Sequence, residues 1–234
     1  MAFHHWVAPW PDVATEPEDQ YIIARDISDG DVRLEAYKAM SNKRNGFLEQ
    51  PVAPDLFELA PGASPTDMLT KLVQPYRTMV ISDRLKSIVE HFDIFEHRLH
   101  PLRIRHGDGP SLNYWMLEWR DDVIKYVDFA RSRFTKTDLF QLAASVDLPI
   151  GSLAEYQEQV KAINKEAPAS YWTIRGKMVV FASNDWPGQD MFDLGALNSI
   201  VQRGPIISDR LLGALLEAGI TGVQFSRADR IVEP

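Results

Sequence analysis

Cysteine is absent from all 234 residues, which excludes disulfides, thiolate metal sites and a cysteine nucleophile. No apolar run approaches the length of a membrane span, and the first residues lack the basic and apolar regions of a secretory signal. The expected setting is therefore cytoplasmic, with no membrane partner. A basic excess is missing too. The formal net charge is −8, which disfavours nonspecific nucleic-acid binding and suits a basic protein partner. Nor does the chain contain Gly-x-Gly-x-x-Gly, a Walker A loop, His-Glu-x-x-His or a Gly-x-Ser-x-Gly elbow. Apolar residues make up 45% of the chain, ordinary for a folded domain with a substantial core.

What is present is a repeated stretch. Ile81-Ser82-Asp83-Arg84-Leu85 returns as Ile207-Ser208-Asp209-Arg210-Leu211. Each copy follows a β-rich run, Thr78 to Ile81 and Pro205 to Ile207, and then shifts to helical periodicity. Leu85, Ile88, Val89 and Phe92 form one apolar stripe; Leu211, Leu212, Leu215 and Leu216 form the other. Ser82 and Ser208 stand at N-caps, and Asp83 and Asp209 place negative charge in the first turn. Gly219 suits a left-handed stop, with Ile220 closing on Leu215. Extended runs follow at 96–104 and 222–226, so each unit reads strand, capped helix, strand. Capping accounts for both Ser and Asp; a paired polar site is the competing reading. Ile27-Ser28-Asp29 runs into Gly30 and reads as a turn.

The remaining elements follow from local pattern. Residues 1–20 read as an irregular arm, rich in Pro and acids, whose Phe3, Trp6 and Trp10 pack on the body. Residues 21–234 read as a single α+β domain, with mixed or antiparallel sheets and several helices, in two lobes (21–130 and 131–234). Segments 21–27 and 32–37 flank the Asp29-Gly30 turn as a hairpin, and a short strand is expected at 55–59. A helix is predicted from Ser64 with Pro65 at N1 and Met68, Leu69, Leu72 and Val73 as its apolar side. Asn113–Trp119 and Val123–Phe129 read as strands, and Asp138–Val146 as a helix. Ser152 with Glu155 is a capping box before the stripe Leu153, Tyr156, Val160, Ile163. Trp172–Ile174 and Met178–Phe181 read as a hairpin about Gly176, and 183–193 as a loop.

Four of the six histidines, His91, His97, His100 and His106, fall close together with Glu90, Asp93 and Glu96. They are the best metal candidates, although His97 and His100 face opposite sides of a strand. Glu118, Asp121, Asp122 and Asp128 offer carboxylates for acid–base work or merely a solvated rim. Trp186, surrounded by Asp185, Pro187, Gly188 and Asp190, has the composition of an interface anchor. A tryptophan folded back onto the body is the competing reading.

Three segments resemble a bacterial family known first as a domain of unknown function and then as immunity protein family eleven of the polymorphic-toxin systems. Val80 to Leu85 is similar to its middle Ser-(Asp/Glu)-x-Leu element. Tyr114-Trp115-Met116-Leu117, with Val127-Asp128 and Ser132, resembles its Tyr-rich strand, with Trp115 in place of a second Tyr. Ile206 to Leu211 and Gly219-Ile220-Thr221-Gly222-Val223-Gln224-Phe225 resemble its closing segment. The resemblance spans residues 75–226 and implies a non-enzymatic α+β protein that neutralises a cognate toxin without a cofactor. The expected contact face is Glu118, Asp121, Asp122, Asp185, Trp186 and Asp190. A metal-dependent hydrolase using the His91–His106 region, or a small-molecule-binding regulatory domain with a cleft between the lobes, are the alternatives.

Overall fold

The computed structural model describes residues 2–7, 21–24, 57–59, 63–71, 78–120, 123–138, 145–166, 172–182, 186–194, 197 and 205–232. In chain order the strands are β1 (Phe3–Val7), β2 (Tyr21–Ala24), β3 (Phe57–Leu59), β4 (Met68–Lys71), β5 (Thr78–Ser82), β6 (His97–Arg105) and β7 (Leu112–Trp119). They continue as β8 (Arg133–Asp138), β9 (Ser145–Leu148), β10 (Trp172–Val180), β11 (Met191–Phe192), β12 (Ile206–Ser208), β13 (Gln224–Arg227) and β14 (Ile231–Val232). Helix α1 (Asp83–Val89) follows β5, α2 (Leu153–Glu166) follows β9, and α3 (Asp209–Glu217) follows β12. The fold is α+β, as expected.

The described strands form three sheets. One is a closed barrel in the order β2-β3-β6-β7-β5-β4; the others run β11-β12-β1-β13 and β14-β10-β8-β9. Strand β5 shows why its sequence carries no polar–apolar alternation: Thr78, Met79, Val80 and Ile81 are all buried. Such a run suits a strand covered on both faces. Register places Val80 beside Leu69, Met116 and its neighbour His100 on the barrel's inner face. Met79 and Ile81 point outward with Leu117 and Met68 into the common core. That core runs from Phe3 to Ile231 and joins Val127 and Phe129 with Phe134 and Phe181, on either side of residue 130.

Several elements differ from expectation, each for a tertiary reason. Residues 3–7 are no irregular arm. β1 lies between β12 and β13, antiparallel to both, with Phe3 and Trp6 buried; Trp10 lies outside the described residues. The predicted Ser64 helix is strand β4. Its Met68 and Leu69 are buried on opposite faces, against Ile81 and Val80, and this two-sided burial overrides the cap-like Ser-Pro signal. Leu72 and Val73 lie outside the described residues.

Val123–Tyr126 is a short 3-10 helix, and only Val127 bridges to Phe181. Where a helix was predicted over 138–146, β8 and β9 pair antiparallel, their threonines and Phe134 suiting a pleated surface; residues 139–144 are not described. The Gly176 hairpin is one strand, β10, with a bulge between Gly176 and Met178. A Cβ at Gly176 would collide with the Val179 side chain, which is why glycine stands at that bulge. Of the 21–37 hairpin only β2 is described, and it pairs with β3 and β4.

Other expectations hold. The α2 stripe is as drawn, with Tyr156 and Ile163 buried and the Ser152 hydroxyl accepting from the Glu155 amide at 3.2 Å. At the end of α3, Gly219 (φ 61°) and Ile220 donate to the Leu216 and Leu215 carbonyls, a Schellman closure.

Candidate functional site

The repeated stretch builds two matched junctions, each centred on a carboxylate outside the repeat. In the first, Ser82 caps α1: its hydroxyl accepts from the Leu85 amide at 3.1 Å and donates to Asp67 Oδ1 at 2.8 Å. Arg84 Nη1 lies 3.5 Å from Asp67 Oδ2. In the second, the Ser208 hydroxyl accepts from the Leu211 amide at 3.2 Å and donates to Asp190 Oδ1 at 2.7 Å. Arg210 closes a fork on the same carboxylate, Nε donating to Oδ1 at 2.9 Å and Nη2 to Oδ2. The backbones repeat this pattern. The Ser82 amide donates to the Asp67 carbonyl at 2.7 Å, and the Ser208 amide to the Asp190 carbonyl at 2.9 Å.

Each carboxylate also receives donors from the loop that leaves the opposite helix. Thr221, just past α3, donates its amide (3.0 Å) and hydroxyl (3.1 Å) to Asp67 Oδ2. Asp93, just past α1, donates its amide to Asp190 Oδ2 at 3.1 Å. Backbone bonds reinforce the exchange: Met68 donates to the Thr221 carbonyl, Asp190 and Met191 to the Asp93 carbonyl. Gly222 makes the first approach feasible. Its φ is 75°, and a Cβ there would strike the Met68 carbonyl and Thr66.

The match extends beyond the junctions. Strands β4-β5-β7-β6 and β11-β12-β1-β13 stand in the same order. Ile81 faces Trp115 of β7 as Ile207 faces His4 of β1, and Leu99 faces Leu117 as Phe225 faces Trp6. Helix-start acids reach those neighbouring strands: Asp83 accepts from Trp115 Nε1 at 2.5 Å, and Asp209 accepts from the Ala2 amide at 2.6 Å and binds His4 Nε2 at 2.7 Å. The Ala2 hydrogen bond, with His4 beside it, holds the Asp209 carboxyl below its usual range. Burial opposes ionisation of Asp190, but the Arg210 fork, Ser208 and the Asp93 amide outweigh it and keep its pKa depressed. Helices α1 and α3 pack against each other, so the molecule contains a pair of modules joined about their helices.

The structure relocates much of the expected contact face. Glu118 is buried, its carboxylate 2.9 Å from His100 Nε2 on the barrel's inner face. Trp186 is half-buried, stacked on Phe181 with centroids 4.0 Å apart and edge-on to Tyr126 and Phe192. Asp190 is 1% exposed and saturated by the junction. Glu118 and Asp190 are thus engaged by partners within the chain, Asp190 by the half-exposed Arg210, and Trp186 keeps part of its ring at the surface. Asp121, Asp122 and Asp185 lie outside the described residues.

The histidines are dispersed. His91 Nδ1 binds the Ser87 carbonyl at 2.6 Å, His97 Nδ1 the Phe95 carbonyl at 2.9 Å, and His106 is exposed at a turn. Among the described residues no three His, Asp or Glu side chains converge on a metal-sized space. Asp128 accepts from the Arg131 amide at 3.1 Å, and the Ser132 hydroxyl accepts from the Val180 amide at 2.9 Å. Both junction serines use their hydroxyls in the same way, accepting from a helix amide and donating to a carboxylate.

By local pattern Asp67 reads as part of a helix start and Asp190 as part of a loop. A signal was there. Asp-Met precedes each repeat, as Asp67-Met68 and Asp190-Met191, and these are the only Asp-Met pairs in the chain. The varying gap before Ser82 and Ser208 concealed it.

Fold and site together define an α+β scaffold of two interlocked strand–helix modules. No family model matches the chain, and no curated protein matches it. Among the described residues no helix is long and apolar enough to cross a membrane.

Proposed function

We infer that the chain is a non-enzymatic, immunity-type protein that binds and neutralises a cognate bacterial toxin, itself basic at the contact. The observation carrying this reading is where the resembling motifs lie. Ser82 and Ser208 cap helices, Gly219 and Gly222 shape the exit loop, and Tyr114 donates to the Thr66 carbonyl at 2.7 Å. They are joints of a frame. A protein that works by occlusion needs such a preorganised frame, with specificity left to its surface. The net charge of −8 supports a basic partner by favouring fast association.

Glu118, Trp186 and Asp190 then support the face, and Asp121, Asp122 and Asp185 remain its candidate acids. The test is co-expression with the toxin domain encoded beside this gene, with binding measured across salt concentration. Restored growth and a salt-sensitive complex are expected. Charge reversal at Asp121, Asp122 and Asp185 should slow association about tenfold with dissociation little changed. Continued killing with no complex would overturn the assignment.

A further inference from the structure

We propose that the two junctions form one closed circuit, so that the modules loosen together instead of separately. This stands independently of what the protein binds. Follow the contacts from Asp67. Its carboxylate holds Ser82, which caps α1. Helical hydrogen bonding continues past the helix end, Glu90 to Lys86, His91 to Ile88 and Phe92 to Val89, so Asp93 is carried rigidly by α1. Asp93 binds Asp190 through amide and carbonyl, and Ile94 bridges to Met191. Asp190 holds Ser208, which caps α3. The Schellman closure then fixes Thr221 to α3, and Thr221 returns to Asp67.

Every link is a short hydrogen-bonded contact or a helix, and both carboxylates are buried, Asp67 8% and Asp190 1% exposed. The interface is of the kind two identical subunits make across a twofold axis, where each contributes the same patch to the other. Here it is built within one chain. In an open arrangement, breaking one junction would leave the other at full strength. In a closed one, releasing Asp93 frees α1 to shift, and that shift reaches Ser82, Asp67 and Thr221.

The experiment is amide hydrogen exchange on the full chain, comparing the wild type with Asp190→Asn, a near-isosteric change that removes the acceptor charge. The Asp93 amide should exchange faster whatever the wiring. The circuit requires the Thr221 amide, bonded to the other carboxylate, to exchange at least tenfold faster as well. The Val179 amide, bonded to Arg230 in a different sheet, should keep its wild-type rate. Thr221 moving no more than Val179 would overturn the proposal. Ser208→Ala breaks the same circuit while keeping Asp190, and serves if Asp190→Asn does not fold. An equilibrium measurement adds a second arm. The folding constant of Asp67→Asn/Asp190→Asn should fall by clearly less than the product of the two single losses; equality with that product would show two independent caps.

Discussion

The two modules carry the same five residues yet hold their carboxylates differently. At Asp190 the exit loop supplies only the Asp93 amide, and Arg210 completes the shell with a two-pronged fork. Its guanidinium also lies over Phe92, 5.2 Å from the ring centroid. At Asp67 the exit loop supplies both the Thr221 amide and hydroxyl, and Arg84 makes a single 3.5 Å contact. One junction is closed by charge, the other by neutral donors. An identical local sequence therefore does not fix the electrostatics of its site; the residue arriving from the other module does.

The largest expected break in that comparison is removal of the carboxylates. Asp190→Ala leaves Ser208, the Asp93 amide and Arg210 without their acceptor and should cost on the order of 3 kcal/mol. Asp67→Ala should cost roughly 2 kcal/mol, because its site is less deeply buried and Arg84 loses little. Denaturant midpoints measure both, and a cost at Asp67 equal to or above that at Asp190 would contradict the division into charged and neutral closures.

A second contrast lies in the strands flanking β5 and β12. β1 presents His5 where β7 presents Met116, opposite Ile206 and Val80 respectively. His5 is 2% exposed, and its Nδ1 has no hydrogen-bond partner among the described residues. Burial chiefly, with Arg230 adding to it, lowers its pKa from 6.5 to about 4. The unfolded chain takes up this proton near pH 6.5, the folded chain only near 4. Stability should thus fall as the pH drops through that window and level off below it, by on the order of 3 kcal/mol. His5→Met copies β7 and should flatten the profile between pH 6.5 and 4. A slope unchanged in His5→Met would assign the pH dependence to other groups.

The smallest effect runs the other way. Gly213 lies inside α3 with open space around its absent side chain, at the position where α1 has Ser87. Gly213→Ala should stabilise by about 0.5–1 kcal/mol, read as a rise in melting temperature. A loss would mean that helix α3 is packed more closely there than the structure shows.

Much of the architecture around the repeat was legible because its causes are local. Ser caps, first-turn Asp and the Gly219 stop act within a helical turn of themselves, and each was found where periodicity placed it. The α2 stripe was legible for the same reason. What misled was context. Met68 and Leu69 fit a helical face as readily as two faces of a strand, and only pairing with β5 separates these. Residues 3–7 show no sequence sign of lying between strands more than half a chain away. For Trp186 the sequence leaves an exposed anchor and a ring folded back onto the body both open, and the contacts with Phe181 and Phe192 decide for the second.

By itself the sequence determined that this is a folded α+β chain with two capped strand–helix units, since hydrophobic period and cap chemistry operate over a few residues. Only the tertiary structure decided that the units interlock, that Asp67 and Asp190 are the residues each Ser-Asp-Arg answers to, and that Glu118 and Trp186 face inward. Those outcomes depend on which distant backbone donors and aromatic rings come to share a space. Short-range pattern carries no record of that.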